Sequence, residues 1–466
     1  MKKKNIFYHY VLFGTTFAVI NNEIFAVLFL IKKIGEYMKI TTKSSSAILT
    51  LLLLILIPLG VSAEDVPSPG QVAGDNAWML ASTALVLLMT IPGVALFYGG
   101  LSRKQNVLSS LMHIFAATCV VTLTWCVIGY SIAYSEGATL YFGGLSNFMF
   151  NGFEVAETDY TSLPIGVDVV FQATFAIITT ALIAGSFAER IKFSSTLIFM
   201  AIWSVVVYAP ICYWVWGGGV LSEKGILDFA GGTVVHINCG IAGLVAALVV
   251  GKRSVGSYNY APHNLIYTIV GASLLWVGWF GFNAGSAYGA NEQAGNAMLV
   301  TQIATASAAL SWMFIEWVIK GKPSVIGITG GAVAGLVAIT PASGYVYPMG
   351  ALIIGLVAGA GCWFFSSVVK KALGYDDSFD VFGIHGVGGI IGALLTGLFC
   401  VPALADVEPG MKQLGIQFYG ILLTIGWCGF ATFVILKVID MTLGLRVSSK
   451  VEKEGLDVNL HGEVVS

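Results

Sequence analysis

The chain has 466 residues, 57% of them apolar and only 10% charged, with a formal net charge of −2 and a mean hydropathy of +0.85. Soluble domains carry roughly a quarter charged residues, so this composition excludes a water-soluble surface and places the chain in a lipid bilayer. Strand-like alternation is absent, which excludes a β-barrel and leaves helices to satisfy the backbone in lipid.

The first 63 residues read as processing signals. From Met38 the stretch MKITTKSSSAILTLLLLILIPLGVSA carries Lys39 and Lys43, a short leucine core and the small-residue site Val61-Ser62-Ala63. That is the pattern of a signal peptide, over 38–63, cleaved before Glu64. Residues 1–37 hold an apolar run broken by Asn21, Asn22 and Glu23, and read as an over-extended start. Sequencing the N-terminus of protein from its native membrane should return Glu64, and a retained 1–37 segment would reject this reading.

About 20 apolar residues cross a bilayer as a helix. Eleven such runs follow, centred near Leu87, Val120, Ile177, Val205, Ala242, Ser273, Ala308, Val333, Leu356, Ile391 and Thr424. They fill 64–445 almost end to end and leave 446–466 as a C-terminal tail. Connections after odd-numbered runs hold Arg103, Lys104, Arg190, Lys192, Lys252, Arg253, Lys320, Lys322, Lys370 and Lys371. Those after even-numbered runs hold only Lys224 and Lys412, beside acidic residues such as Glu154, Glu157 and Asp159. The positive-inside rule then sets the mature N-terminus outside and the tail in the cytoplasm.

GGTVVHINCGIAGL, at 231–244, and VFGIHGVGGIIGAL, at 381–394, align as H-x-x-x-G-I-x-G from His236 and His385. One histidine falls in the fifth run and the other in the tenth. Five plus five runs of opposite orientation are the arithmetic of an inverted repeat around a midplane site, with the eleventh helix peripheral. A shorter echo, G-x-x-x-F-x-x-G, links Gly93, Phe97 and Gly100 to Gly278, Phe282 and Gly285. Histidines at membrane depth are functional candidates, and as neutral rings they offer one donor and one acceptor each.

Two histidines alone make a thin metal centre. Cysteines 119, 126, 212, 239, 362, 400 and 428 read as packing residues, so neither a metal nor another cofactor is expected. Phe171 and Phe175 share a helix face, as do Phe282 and Ser286. Trp216 reads either as an interfacial anchor or as a cation–π face. Asp228 and Asp380 precede the two histidines by eight and five residues and read as helix caps, while Glu189 and Arg190 read as an ordinary cytoplasmic pair.

The stretches TIPGVALFYGGLSRKQNVLS, GSFAERIKFS, DFAGGTVVHIN, GWFGFNAGSA, TPASGYV, DVFGIHGVGGIIG and EGLDVNLHGE resemble bacterial ammonium transporters of the Amt family, over about 75–463. The resemblance implies a homotrimer of eleven-helix protomers in the cytoplasmic membrane, each passing ammonium or ammonia through its own pore. It implies an external ammonium site at Trp216, Phe175 and Ser286, a phenyl gate at Phe175 and Phe282 with Phe171 on the same face, and pore histidines at His236 and His385. Asp228 takes the place of the carboxylate that deprotonates or stabilises the incoming cation. The resemblance also implies a cytoplasmic PII protein as partner; a nucleic-acid partner is not expected. A Rhesus-type gas channel and an ammonium sensor are the alternatives, and the tail of about 20 residues reads as too short for a signalling domain.

Overall fold

A computed structural model describes residues 69–137, 139–151, 163–254 and 261–465. The readings of 1–63, and of Glu154, Glu157 and Asp159, therefore lie outside the described residues. Eleven helical stretches take up the apolar runs: α1 (Gly70–Leu101), α2 (Lys104–Tyr134), α3 (Ile165–Ile183), α4 (Phe193–Glu223), α5 (Gly232–Val250), α6 (Leu265–Gly285), α7 (Glu292–Lys320), α8 (Val325–Ile339), α9 (Pro348–Leu373), α10 (Phe382–Phe399) and α11 (Met411–Thr442). All but α8 are long and apolar enough to cross a membrane.

Helix α8, the run expected around Val333, has only 15 residues. It starts where Ser324 Oγ accepts from Gly327 N at 2.9 Å, a side-chain cap for an otherwise orphaned donor. Beyond Ile339 the chain meets Pro341, which has no N–H with which to extend the helix. Among the described residues there is no strand, only an isolated bridge between Ile191 and Arg446.

Lipid gives helices no hydrophobic reason to associate, so close backbone packing has to do it. Helix α7 lies against α8 and α9, and Gly355 and Gly359 of α9 sit where added carbons would strike Ala304 and Ala308 of α7. Helices α1 and α6 pack together in the same manner, with Gly278 against Met89 and Gly285 against Ser82.

At one end of the bundle the connections after α1, α3 and α5 meet the segment before α10. Glu189, 2% exposed, receives Arg103 Nε at 2.8 Å and Arg253 Nη1 at 3.4 Å. Arg253 also pairs with Asp376 at 2.7 Å. Arg190 is fully buried and donates to the carbonyls of Gly251, Ser186 and Asp376 at 2.8, 3.1 and 2.5 Å. The expected ordinary pair of Glu189 and Arg190 is thus replaced by a buried network in which each serves other partners. Burial pushes the Arg190 guanidinium down to about 10. Burial alone would raise the Asp376 carboxyl, but Arg253 beside it prevails and holds it at about 2.

The tail closes over this network. Glu452, fully buried, accepts from Arg446 Nη2 at 2.8 Å and from Ser254 N and Oγ. Four residues further on, Leu456 N donates to Asn106 Oδ1 at 2.8 Å. Asp457 then accepts from Leu108 N at 3.0 Å and Ser109 N at 2.8 Å, which are unpaired donors in the first turn of a helix. The tail supplies the N-terminal cap that α2 lacks in its own sequence.

Candidate functional site

The two aligned motifs meet in space. Each histidine lies in a π-helical turn, Gly232–Ile237 and Phe382–Gly386, a rare geometry that recurs at functional sites. The glycines four residues later let the helices touch. A carbon on Gly240 would collide with the backbone of Gly386, and one on Gly389 would lie 2.9 Å from Gly232 O. This close crossing brings Nδ1 of His236 to 3.3 Å from Nδ1 of His385, with the rings 5.4 Å apart at 26°. One ring donates and the other accepts, as neutral tautomers require.

On one side of the pair, His236 stacks on Trp279 at 5.3 Å and lies 6.0 Å from Phe282. Phe282 stacks face to face with Phe175, centroids 4.3 Å apart at 23°, and Trp216 meets Phe175 edge-on at 5.7 Å. Phe171 stands outside the stack. It is fully buried and holds Phe175 from the side, edge-on at 5.0 Å.

Above the stack opens a cavity of about 470 Å³ whose lining includes Trp216, Phe175, Ser286, Asp228, Gln172 and Tyr288. Ser286 Oγ donates to Phe282 O at 2.9 Å, which leaves its lone pairs to accept from a guest. Gln172 donates to Tyr288 Oη at 2.5 Å, and Tyr288 donates to Asp168 at 2.9 Å. On the far side of the histidines, His385, Trp279, Tyr98 and Leu182 enclose about 10 Å³, roughly the space of one water.

Asp228 is 4% exposed. Its carboxylate accepts from the N–H groups of Gly231, Gly232, Thr233 and Val234 at 2.5–3.1 Å, and its own carbonyl accepts from Trp216 Nε1 at 2.8 Å. Burial raises the carboxyl to about 6, and those four donors offset only part of the cost.

The equivalent group in the second motif is Asp377, not Asp380. Asp377 is fully buried, caps the turn before His385 by accepting from Phe382 N at 2.8 Å, and is likewise raised to about 6 by burial. Asp380 instead pairs with Lys370 in a left-handed backbone, φ 59°. The histidine offset of 149, applied to 228, lands on 377 and would have found it. The structure also brings Cys239, expected as packing only, to the histidine pair: donor atoms of His236, Cys239 and His385 lie within 4.8 Å of one another, all three residues buried.

A family model, Ammonium Transporter Family, matches residues 77–466. The chain belongs to this family. An ammonium transporter of Aquifex aeolicus is 51% identical over 84% of this transporter and 92% of its own length, and one of Bacillus subtilis is 44% identical over 84% and 98%. Among solved structures, Saccharomyces cerevisiae Mep2 aligns with a TM-score of 0.75 at 35% identity, over 81% of this transporter and 88% of that chain. A structure titled Sensor Amt Protein aligns with a TM-score of 0.78 at 28% identity, over 84% and 99%.

Proposed function

We propose that this transporter takes up ammonium across the cytoplasmic membrane by recruiting it at Trp216, Phe175 and Ser286 and passing it, stripped of a proton, along His236 and His385. The observation that carries this reading is the file of groups itself: an aromatic cavity with acceptors, a closed phenyl pair, then two neutral hydrogen-bonding rings in an apolar surround. A bare alkali ion would pay its full desolvation cost there, whereas ammonium can shed a proton and cross as a neutral molecule. Homotrimeric assembly, eleven crossings in a five-plus-five inverted repeat, an external N-terminus and a PII partner at the cytoplasmic end belong to the same reading by family resemblance. The matched π-turns, capping aspartates and glycines around the two histidines support the repeat.

Ammonium-evoked current in proteoliposomes, compared with carbon dioxide flux, tests the proposal against a Rhesus-type gas channel. Current on ammonium supports it, and carbon dioxide flux without ammonium transport rejects it. Trp216→Leu is expected to lower uptake at limiting ammonium by about tenfold, because a desolvated cation–π contact contributes about 1–2 kcal/mol, with assembly unchanged. Unaltered uptake would return Trp216 to an anchoring role.

Four backbone donors hold the carboxylate of Asp228 in place, so we assign it the role of attracting the incoming cation by its charge. With its carboxyl raised to about 6, the negative charge is present above that pH and lost below it. Recruitment at limiting ammonium should therefore weaken as pH falls through about 6. Asp228→Asn should flatten that profile, and a profile with the wild-type inflection in this variant would place the titrating group elsewhere.

A further inference from the structure

We propose that His236, Cys239 and His385 form a site for a soft monovalent d¹⁰ cation, of the copper(I) or silver(I) kind, whose binding plugs the pore. Cys239 follows His236 by three residues and so shares its helix face, while His385 arrives from α10 across the glycine crossing. The two Nδ1 atoms, 3.3 Å apart, would subtend about 110° at an ion bonded to each at about 2.0–2.1 Å, close to a tetrahedral angle. One ligand atom from each of the three residues lies within 4.8 Å of the other two, so a rotation of the thiol towards the pair completes a three-coordinate site. Among the described residues His236 Nε2 has no hydrogen-bond partner; with His236 as the donor of the Nδ1 bond, its proton moves to that nitrogen, while His385, the acceptor, already carries its proton on Nε2, and both Nδ1 atoms are then free for the metal.

Charge selects the valence. Binding releases one proton, from the thiol, and leaves one thiolate and two neutral imidazoles. A monovalent ion makes that set neutral, whereas a divalent ion leaves an uncompensated charge at membrane depth, which is costly. Thiolate and imidazole are soft to borderline donors that favour copper(I) and silver(I) over sodium and potassium. The thiol now makes only a weak 3.5 Å bond to His236 O, so little is lost when it turns.

The blocking effect rests on the transport reading above, but metal binding does not. Silver(I) is the probe. In proteoliposomes, silver should block ammonium uptake by the wild type, and Cys239→Ala, or Cys239→Ser should the first fail to fold, should transport normally without silver. Weakening even a ligand's support costs about 10–100-fold in metal affinity, so loss of the ligand itself should raise the half-blocking concentration by at least about 100-fold. Cys428→Ala, whose thiol bonds Asn238 O at 3.1 Å outside the group, should keep wild-type sensitivity. X-ray absorption of silver bound to the purified protein should show one sulfur and two nitrogens, a readout independent of transport. Equal block of the Cys239 variants and the wild type, or a silver shell of sulfur alone, overturns the site.

Discussion

Replacing His236 or His385 with Asp is expected to make the pore conduct potassium, and replacing either with Ala is expected to slow ammonium without admitting potassium. A carboxylate between Trp279, Phe282 and the opposite ring supplies charge and oxygen in place of part of an ion's hydration shell. Alanine supplies neither and leaves the remaining ring, buried in the wild type, without its 3.3 Å partner. An ammonia molecule crossing the gap lacks one hydrogen-bond partner, worth about 0.5–1.5 kcal/mol, which corresponds to a slowing of about twofold to tenfold. Potassium currents in proteoliposomes, and growth of cells deficient in potassium uptake, measure the first effect; labelled uptake measures the second. If the Asp variants pass no potassium and all variants carry ammonium normally at matched expression, the pair is not the selective element.

The second large effect is expected at Glu189, in the buried ion network. Its carboxylate holds both Arg103 and Arg253 in a nearly dry setting and accepts from Arg103 N at 2.7 Å as well. Removing one partner of a buried pair costs about 3–5 kcal/mol because the other charge stays behind. Glu189→Ala should therefore sharply lower the amount of folded protein recovered from membranes and its unfolding temperature in detergent. Glu189 also occupies a left-handed conformation, φ 72°, which glycine adopts without strain. Glu189→Gly relieves that strain and should still fail, whereas a variant as stable as the wild type would show that the arginines find other partners.

Most of the helix plan was legible in the sequence because hydropathy over about 20 residues is a local signal, and even the short α8 announced its apolar run. The histidine pair was legible because repetition marks it: two H-x-x-x-G motifs are improbable unless both ends of the pattern are used, and Gly240 and Gly389 prove to be the crossing that joins the rings. Asp377 is legible only through the repeat offset, because Asp380 stands nearer to His385 along the chain. The buried network around Glu189 and Arg190 was hidden for another reason. Its distant partners, from Gly251 to Ser378, lie 61 to 188 residues from Arg190 in sequence, and composition carries no trace of such pairings. Cys239 escaped notice because a thiol at membrane depth is ordinarily a packing residue, and only the approach of α10 gives it company. The Gln172–Tyr288–Asp168 chain joins α3 to the loop after α6, and no motif within either segment signals it.

The docking of the tail onto α2 turns two backbone amides into a gauge. Leu108 and Ser109 owe their hydrogen bonds to Asp457, so their protons exchange with solvent deuterium only while the tail is lifted. Every tenfold slowing of that exchange relative to an undocked tail corresponds to about 1.4 kcal/mol of docking free energy. Two amides at the start of α2 thus report, in a working transporter, what fraction of the time the clasp formed by its tail is closed.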